Sequence, residues 1–122
     1  VRDIRQRFGL PVMKVLGVLE ADDVRVAGQY EDVADRLMFD AKPPVGATRP
    51  GGNARAFDWS LLSDINTNLP WMLAGGLTAE NVGEAVNISR AGAVDVSSGI
   101  EDAPGRKSLK KIAEFLAVTK NL

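Results

Sequence analysis

Short apolar runs alternate along the chain with segments whose apolar residues recur every three or four positions. Continuous apolar runs are typical of buried strands, whereas spacings of three and four are typical of helices. The predicted strands are 12–18, 35–41, 70–74 and 93–97, and the predicted loops are 42–53 and 98–106. The predicted helices are 1–10, 21–30, 56–65, one that Thr78 caps, and one that Ser108 caps with Leu109, Ile112, Ala113 and Leu116 on its apolar face. Strict alternation of strand and helix predicts an α/β fold with parallel strands and right-handed crossovers.

Two architectures are built from such parallel (β/α) units: a piece of a TIM (β/α)8 barrel and a small open doubly wound sheet. The chain has 122 residues, a length that fits one domain. A complete barrel needs roughly 200 residues or more, so four predicted strands cannot close one. The chain begins at Val1 inside a predicted helix without a capping residue. This start suggests a fragment, a processed product or a longer N-terminus, with a frayed native end as the alternative.

The composition restricts the chemistry that this chain can perform. It contains no cysteine and no histidine, which excludes Ser-His-Asp triads, cysteine nucleophiles, histidine zinc sites and disulfide scaffolds. Proton transfer must therefore use Asp, Glu, Lys, Tyr or a group from another chain. The net charge of −1 gives no indication of a nucleic-acid or membrane partner. No apolar run approaches the ~18 residues of a membrane span, and the cytoplasm is the simplest compartment.

Glycines follow the last two predicted strands. Gly75 and Gly76 come after the third strand, and Ser98 and Gly99 come after the fourth. In parallel α/β folds ligands bind beyond the carboxyl ends of the strands. Glycine allows the backbone N–H groups to approach an anion closely, and a following helix N-terminus favours negative charge. Two such loops on consecutive units favour a phosphate site, with simple tight turns as the alternative.

Three charged residues interrupt or end the predicted strands. Asp40 ends the second strand among apolar neighbours, where a carboxyl group can serve as a general acid. The alternative is that its side chain caps the following turn, and the spacing alone favours this capping role. Asp95 binds either a ligand hydroxyl or a buried cation. Lys14 is predicted to form an internal ion pair. Trp59 and Trp71 are predicted core residues.

The segment 42–55 is long, rich in proline and glycine, and carries Lys42, Arg49 and Arg55. A loop of this length can fold over the mouth of a site as a lid. A solvated excursion is the alternative interpretation.

Five blocks of the sequence closely resemble the phosphoribosylanthranilate isomerases of tryptophan biosynthesis. They are FDAKPP at 39–44, TRPGGN at 48–53, FDW at 57–59, WMLAGGLT at 71–78 and VDVSSGIE at 94–101. The blocks occur in the order and spacing of that family and cover essentially the whole chain. They match only its C-terminal part, so the resemblance implies that 1–122 is a single partial barrel domain with about strands 5–8 of the family fold.

The resemblance implies a barrel without cofactor or metal that converts N-(5-phosphoribosyl)anthranilate into 1-(2-carboxyphenylamino)-1-deoxyribulose 5-phosphate. Asp40 matches the family's general acid, which protonates the ribose ring oxygen. The phosphate loops carry over as Gly75, Gly76, Ser98 and Gly99, and Asp95 matches the residue that contacts the sugar hydroxyls. The family's cysteine base and its arginine for the anthranilate carboxylate lie in the N-terminal half. The isolated chain is therefore expected to bind phosphorylated ligand weakly without turnover.

Two other functions remain as alternatives. One is a non-catalytic phosphate-binding half-barrel, and the other is a related barrel such as indole-glycerol-phosphate synthase, which the FDAKPP block disfavours. In either case an open half-barrel exposes sheet edges and apolar surface. We therefore expect it to pair with the N-terminal half or with a copy of itself.

Overall fold

The computed structural model describes residues 1–41 and 58–122. The predicted lid over 42–55, with Lys42, Arg49 and Arg55, lies outside the described residues, as does the start of the helix predicted over 56–65. In the remainder of that predicted helix, the structure has a single 3-10 helix, Trp59–Leu62.

The centre of the fold is a parallel sheet of three strands in the order β1-β2-β3. The strands are β1 Met13–Val18, β2 Arg36–Ala41 and β3 Trp71–Ala74. The register places Leu16, Phe39 and Leu73 side by side across the sheet, and all three are buried. The three predicted strands and their parallel order are confirmed.

The strand predicted over 93–97 is wrong in its extent. Only one bridge, between Leu73 and Val94, joins this segment to β3. Two hydrogen bonds form it: Leu73 N donates to Ala93 O at 3.0 Å, and Asp95 N donates to Leu73 O at 2.8 Å. Among the described residues this single bridge is the whole of the pairing between the segment and β3.

In residues 1–41 and 58–122, four α-helices accompany the sheet: α1 Arg2–Phe8, α2 Ala21–Arg25, α3 Val82–Ser89 and α4 Leu109–Lys120. The helix predicted over 21–30 is present, but its second half is a 3-10 helix, Val26–Tyr30. The loop predicted over 98–106 contains a 3-10 helix, Ser98–Ile100, and an antiparallel hairpin of β4 Glu101–Ala103 and β5 Arg106–Lys107. Pro104 and Gly105 form the turn of this hairpin.

The capping role predicted for Thr78 is confirmed, and the regular helix α3 begins at Val82, three residues beyond the start that a Thr78 cap predicts. Asn81 Oδ1 accepts from Thr78 N at 2.7 Å, and Thr78 Oγ1 accepts from Asn81 N at 3.3 Å. These reciprocal bonds are those of a capping box. Val82 N also donates to Thr78 O at 3.0 Å, so the capped turn leads directly into α3.

The start of α4 is confirmed, but its predicted buried face is wrong. The Ser108 side chain accepts a hydrogen bond from Lys111 N at 3.2 Å, as expected of an N-cap. Leu109 is 87% exposed and Leu116 is also exposed, whereas Phe115 is buried. Ile112, which belongs to the predicted face, is half-buried, so the face covered within the described chain runs through Ile112 and Phe115.

Only one face of the sheet is covered within the described chain. Leu16 and Val18 are buried on the covered face, whereas Val15, on the opposite face of β1, is 49% exposed. A doubly wound sheet carries helices on both faces. Helices on one face only, as in this sheet, are typical of a barrel segment, which is the first of the two predicted architectures.

The core prediction is confirmed for Trp59, whereas Trp71 is half-buried against the core, and the internal ion pair predicted for Lys14 is wrong within the described chain. Trp59 is buried, and the Trp71 ring meets the Phe39 ring edge-on at 5.5 Å between centroids. Lys14 Nζ lies 5.2 Å from the centroid of the Tyr30 ring, and no carboxylate of the described residues pairs with it. Lys14 points to the helix-covered face of β1, where a cation–π contact replaces the expected ion pair. No helix in the described ranges has the length and apolar character to cross a membrane.

Candidate functional site

A cavity of about 370 Å³ lies at the carboxyl ends of β2 and β3. Its lining includes the six residues predicted for the site: Asp40, Gly75, Gly76, Asp95, Ser98 and Gly99. They come together because each lies at or just beyond the carboxyl end of a parallel segment, and these ends share one edge of the sheet.

Asp40 sits at the end of β2, against the turn that follows β3. A Cβ atom on Gly75 would lie 2.5 Å from Asp40 Oδ1 and would overlap the backbone of Ala41. Gly75 also has φ +95°, a conformation that glycine adopts without steric cost. Within residues 1–41 and 58–122 no donor engages the Asp40 carboxylate. The alternative role as a cap for the following turn concerns residues outside the described ranges.

The turn at Gly76 is held by Asn81, a residue that the sequence analysis missed. Asn81 Nδ2 donates a hydrogen bond to Gly76 O at 2.8 Å. This bond fixes the Gly76 carbonyl, whereas the N–H group of Gly76 has no acceptor in the described chain. The only signal in the sequence is an Asn three residues after a Thr, and this spacing is equally typical of the first turn of a helix.

The second loop, residues 97–100, touches the first. Gly99 lies so close to Leu77 that a Cβ atom on it would overlap the Leu77 carbonyl. The N–H groups of Ser98 and Gly99 have no acceptor among the residues that the structure describes. Together with Gly76, they make three residues of the cavity lining whose N–H groups have no acceptor in the described chain.

Both loops of the cavity lead into helical turns. Gly75 and Gly76 precede the turn that Thr78 caps, which continues into α3. The second loop contains the 3-10 helix Ser98–Ile100, so the N–H groups of Ser98 and Gly99 are the first two of that helix.

Asp95 is exposed on the rim of the cavity. No cation of the described residues pairs with its carboxylate, so the alternative of a buried ion pair has no support there. Its backbone N–H holds the bridge to Leu73 at 2.8 Å, which places the residue level with the end of β3.

Behind the second loop lies a charged pair that the sequence analysis also missed. Lys107 Nζ is 2.9 Å from Glu101 Oε2. The hydrogen bond from Lys107 lowers the pKa of Glu101 below its ordinary value. Glu101 is therefore ionised at neutral pH and holds the lysine in place.

A model of the N-(5'phosphoribosyl)anthranilate (PRA) isomerase family matches residues 2–118 of this chain. The N-(5'-phosphoribosyl)anthranilate isomerase of Paramagnetospirillum magneticum is 62% identical over 116 residues, which are 95% of this chain and 54% of that protein. The chain thus spans about half the length of the curated relatives it matches.

Solved structures give the same result for the fold. The phosphoribosyl anthranilate isomerase of Thermotoga maritima aligns with a TM-score of 0.80 at 36% identity, over 99% of this chain and 56% of that chain. An isomerase in complex with reduced 1-(o-carboxyphenylamino)-1-deoxyribulose 5-phosphate aligns with a TM-score of 0.74 at 33% identity, over 99% of this chain and 53% of that one. The predicted fold class, half of a parallel (β/α)8 barrel, is confirmed.

Proposed function

This chain belongs to the N-(5'-phosphoribosyl)anthranilate isomerase family, and on that premise we propose that it forms the acid and phosphate side of such an isomerase. The reaction is the rearrangement of N-(5'-phosphoribosyl)anthranilate to 1-(2-carboxyphenylamino)-1-deoxyribulose 5-phosphate, a step of tryptophan biosynthesis that belongs to the cytoplasm. The observation that carries the proposal is one cavity with a carboxylate and three unpaired N–H groups on its lining.

Asp40 is the general acid of the proposed reaction. Its proton passes to the ribose ring oxygen while the C1–O bond breaks, and the nitrogen lone pair forms the C=N bond of a Schiff base. A base then removes the proton from C2, which gives an enolamine that tautomerises to the ketone. A positioned acid typically contributes ~10²–10⁴-fold to such a step. Gly75 leaves the space in which the Asp40 carboxylate lies.

The phosphate of the substrate binds at the two glycine loops. The N–H groups of Gly76, Ser98 and Gly99 are free to donate, and hydrogen bonds to a charged group contribute roughly 1.5–3 kcal/mol each. Asp95, on the same rim, accepts from a sugar hydroxyl. This arrangement places the anion at one end of the substrate and Asp40 at the ring.

The remaining half of the active site comes from outside residues 1–122. We assign the chain to about strands 5–8 of the family barrel, as one partial domain. Leu109 on α4 and Phe8 on α1 are exposed, and so is one face of β1. These surfaces bind the complementary half of the barrel, and without it they cause self-association.

Reconstitution tests the proposal directly. The 122-residue chain is co-expressed with the part of the Paramagnetospirillum magneticum isomerase that the chain does not cover, and turnover of N-(5'-phosphoribosyl)anthranilate is measured. We expect turnover from the pair and none from either part alone. A folded 1:1 complex without activity would contradict the proposed isomerase and leave a phosphate-binding half-barrel. The matched control is the pair carrying Asp64→Asn, because Asp64 is exposed and lies outside the cavity.

A further inference from the structure

The hairpin of β4 and β5 folds back under the second loop of the cavity. Its last residue, Lys107, donates from Nζ to Ser97 O at 3.0 Å and to Glu101 Oε2 at 2.9 Å. The Lys107 side chain is 47% exposed, whereas that of Glu101 is 13% exposed. The Lys107 ammonium group thus connects the nearly buried Glu101 carboxylate to the backbone carbonyl of Ser97 in the loop.

Two further donors hold the same loop from the start of α4. Ser108 N donates to Ile100 O at 2.8 Å, and Lys111 Nζ donates to Glu101 O at 2.7 Å. With the bond from Lys107, the carbonyls of residues 97, 100 and 101 are all engaged by the hairpin or by α4. The N–H groups of Ser98 and Gly99 have no such partner in the described chain.

Peptide geometry connects the lysine to the cavity. The Ser97 carbonyl and the Ser98 N–H belong to one peptide unit, which is planar and trans, so the two groups point in opposite directions. Lys107 holds the carbonyl on the hairpin side of the loop. The Ser98 N–H therefore points to the other side, where Ser98 lines the cavity.

We infer that Lys107 is a positioning residue for phosphate: it fixes the Ser97–Ser98 peptide so that the Ser98 N–H faces the anion. The inference rests on the proposed function, because only there is the anion a substrate phosphate. Lys107 itself does not line the cavity. It acts through the peptide, because its charge is paired with the Glu101 carboxylate.

A role limited to the stability of the hairpin makes a different prediction. Loss of stability lowers the amount of folded protein but leaves the affinity of the folded fraction unchanged. Loss of positioning lowers phosphate affinity in protein that remains folded. Lys107→Arg keeps a cationic donor at this position, so it should restore most of the affinity if the bond to Ser97 O positions the peptide.

The test uses the full 122-residue chain with inorganic phosphate as the probe. Backbone amide resonances of Ser98 and Gly99 are followed by ¹⁵N NMR during titration, in the original chain, in Lys107→Met, in Lys107→Arg and in Lys110→Met. Lys110 is the matched control, because its side chain is 86% exposed and its nearest carboxylate, on Glu114, is 3.9 Å away. Losing one well-placed donor to a charged group weakens binding by about tenfold or more.

We expect Lys107→Met to raise the Kd for phosphate by about tenfold, Lys107→Arg to restore most of the affinity, and Lys110→Met to behave as the original chain. An unchanged Kd in a folded Lys107→Met chain would overturn the inference, and so would an equal loss in Lys110→Met. No response of the original chain to phosphate would overturn it as well.

The reconstituted pair separates this inference from the proposed function. If the original pair is active, Lys107→Met should raise KM and leave kcat unchanged; a fall in kcat alone would contradict positioning of the phosphate. If the original pair is folded and inactive, the proposed isomerase fails, while phosphate binding by the chain still decides the role of Lys107.

Discussion

Gly75 borders Asp40 so closely that a side chain on the glycine would occupy the space of the carboxylate, with a Cβ atom only 2.5 Å from Asp40 Oδ1. The residue after β3 thus fixes where the acid at the end of β2 can lie. The glycine pair serves two purposes in this account. In the proposed function, Gly75 leaves room for the acid, and Gly76 presents an N–H to the phosphate.

Substituting the two neighbouring glycines separates close approach from backbone conformation. Both have positive φ, +95° at Gly75 and +66° at Gly76, but a Cβ atom on Gly76 meets nothing within 4 Å. We expect Gly76→Ala to cost about 1–2 kcal/mol from the left-handed conformation alone. Gly75→Ala should cost about 1–3 kcal/mol more, because it also overpacks the site. Urea unfolding followed by tryptophan fluorescence measures both, and equal losses would refute the close approach.

Asp40→Asn tests the acid without changing the shape of the residue. In the reconstituted pair we expect turnover to fall by ~10²–10⁴-fold, because the amide cannot supply the proton. Affinity for inorganic phosphate should stay close to that of the original pair, because the phosphate donors are backbone groups. Steady-state kinetics and phosphate inhibition provide the two readouts. If most of the activity remains, Asp40 is not the acid.

The buried face of α4 gives a stability prediction. Phe115→Ala removes a buried aromatic ring and should lower the free energy of unfolding by about 3–5 kcal/mol. Leu109→Ala on the same helix should change it by no more than about 0.5 kcal/mol, because the side chain is exposed. Thermal or urea unfolding of the chain measures both. A larger loss for Leu109→Ala than for Phe115→Ala would mean that the helix is turned the other way.

The pair of Glu101 and Lys107 gives a pH dependence. The bond from Lys107 lowers the pKa of Glu101 in the folded chain. The pair therefore contributes stability above the ordinary glutamate pKa of about 4.3 and loses this contribution as the pH falls through the lower, folded value. When the pH is lowered from 7 to below the folded pKa of Glu101, the free energy of unfolding should fall less in Glu101→Gln than in the original chain. Urea midpoints at both pH values measure it, and identical losses would contradict the pair.

Much of the site could be predicted from the sequence because it follows the ends of strands with strong patterns. β2 and β3 are apolar runs whose carboxyl ends are marked by Asp40 and by the Gly75–Gly76 pair. In parallel units these ends must share an edge of the sheet. Six residues far apart in the chain were therefore predicted to meet, and the structure brings them to one cavity.

The failures occurred where one local signal supports two structures. Thr78 is an N-cap as predicted, but the regular helix begins only at Val82, after the turn that Thr78 and Asn81 close. The face of α4 depended on whether Leu116 or Phe115 points inward, and only packing against the rest of the fold decides that. The bonds from Asn81 to Gly76 O and from Lys107 to Ser97 O were missed because a backbone carbonyl carries no sequence signal.

The most direct test of the central claim is a crystal structure of the reconstituted pair with the reduced 1-(o-carboxyphenylamino)-1-deoxyribulose 5-phosphate bound. The account predicts phosphate oxygens within hydrogen-bond distance of the N–H groups of Gly76, Ser98 and Gly99, with the Asp40 carboxyl beside the ribulose part of the same molecule. A phosphate bound away from both glycine loops, or an Asp40 carboxyl turned away from the sugar, would contradict it.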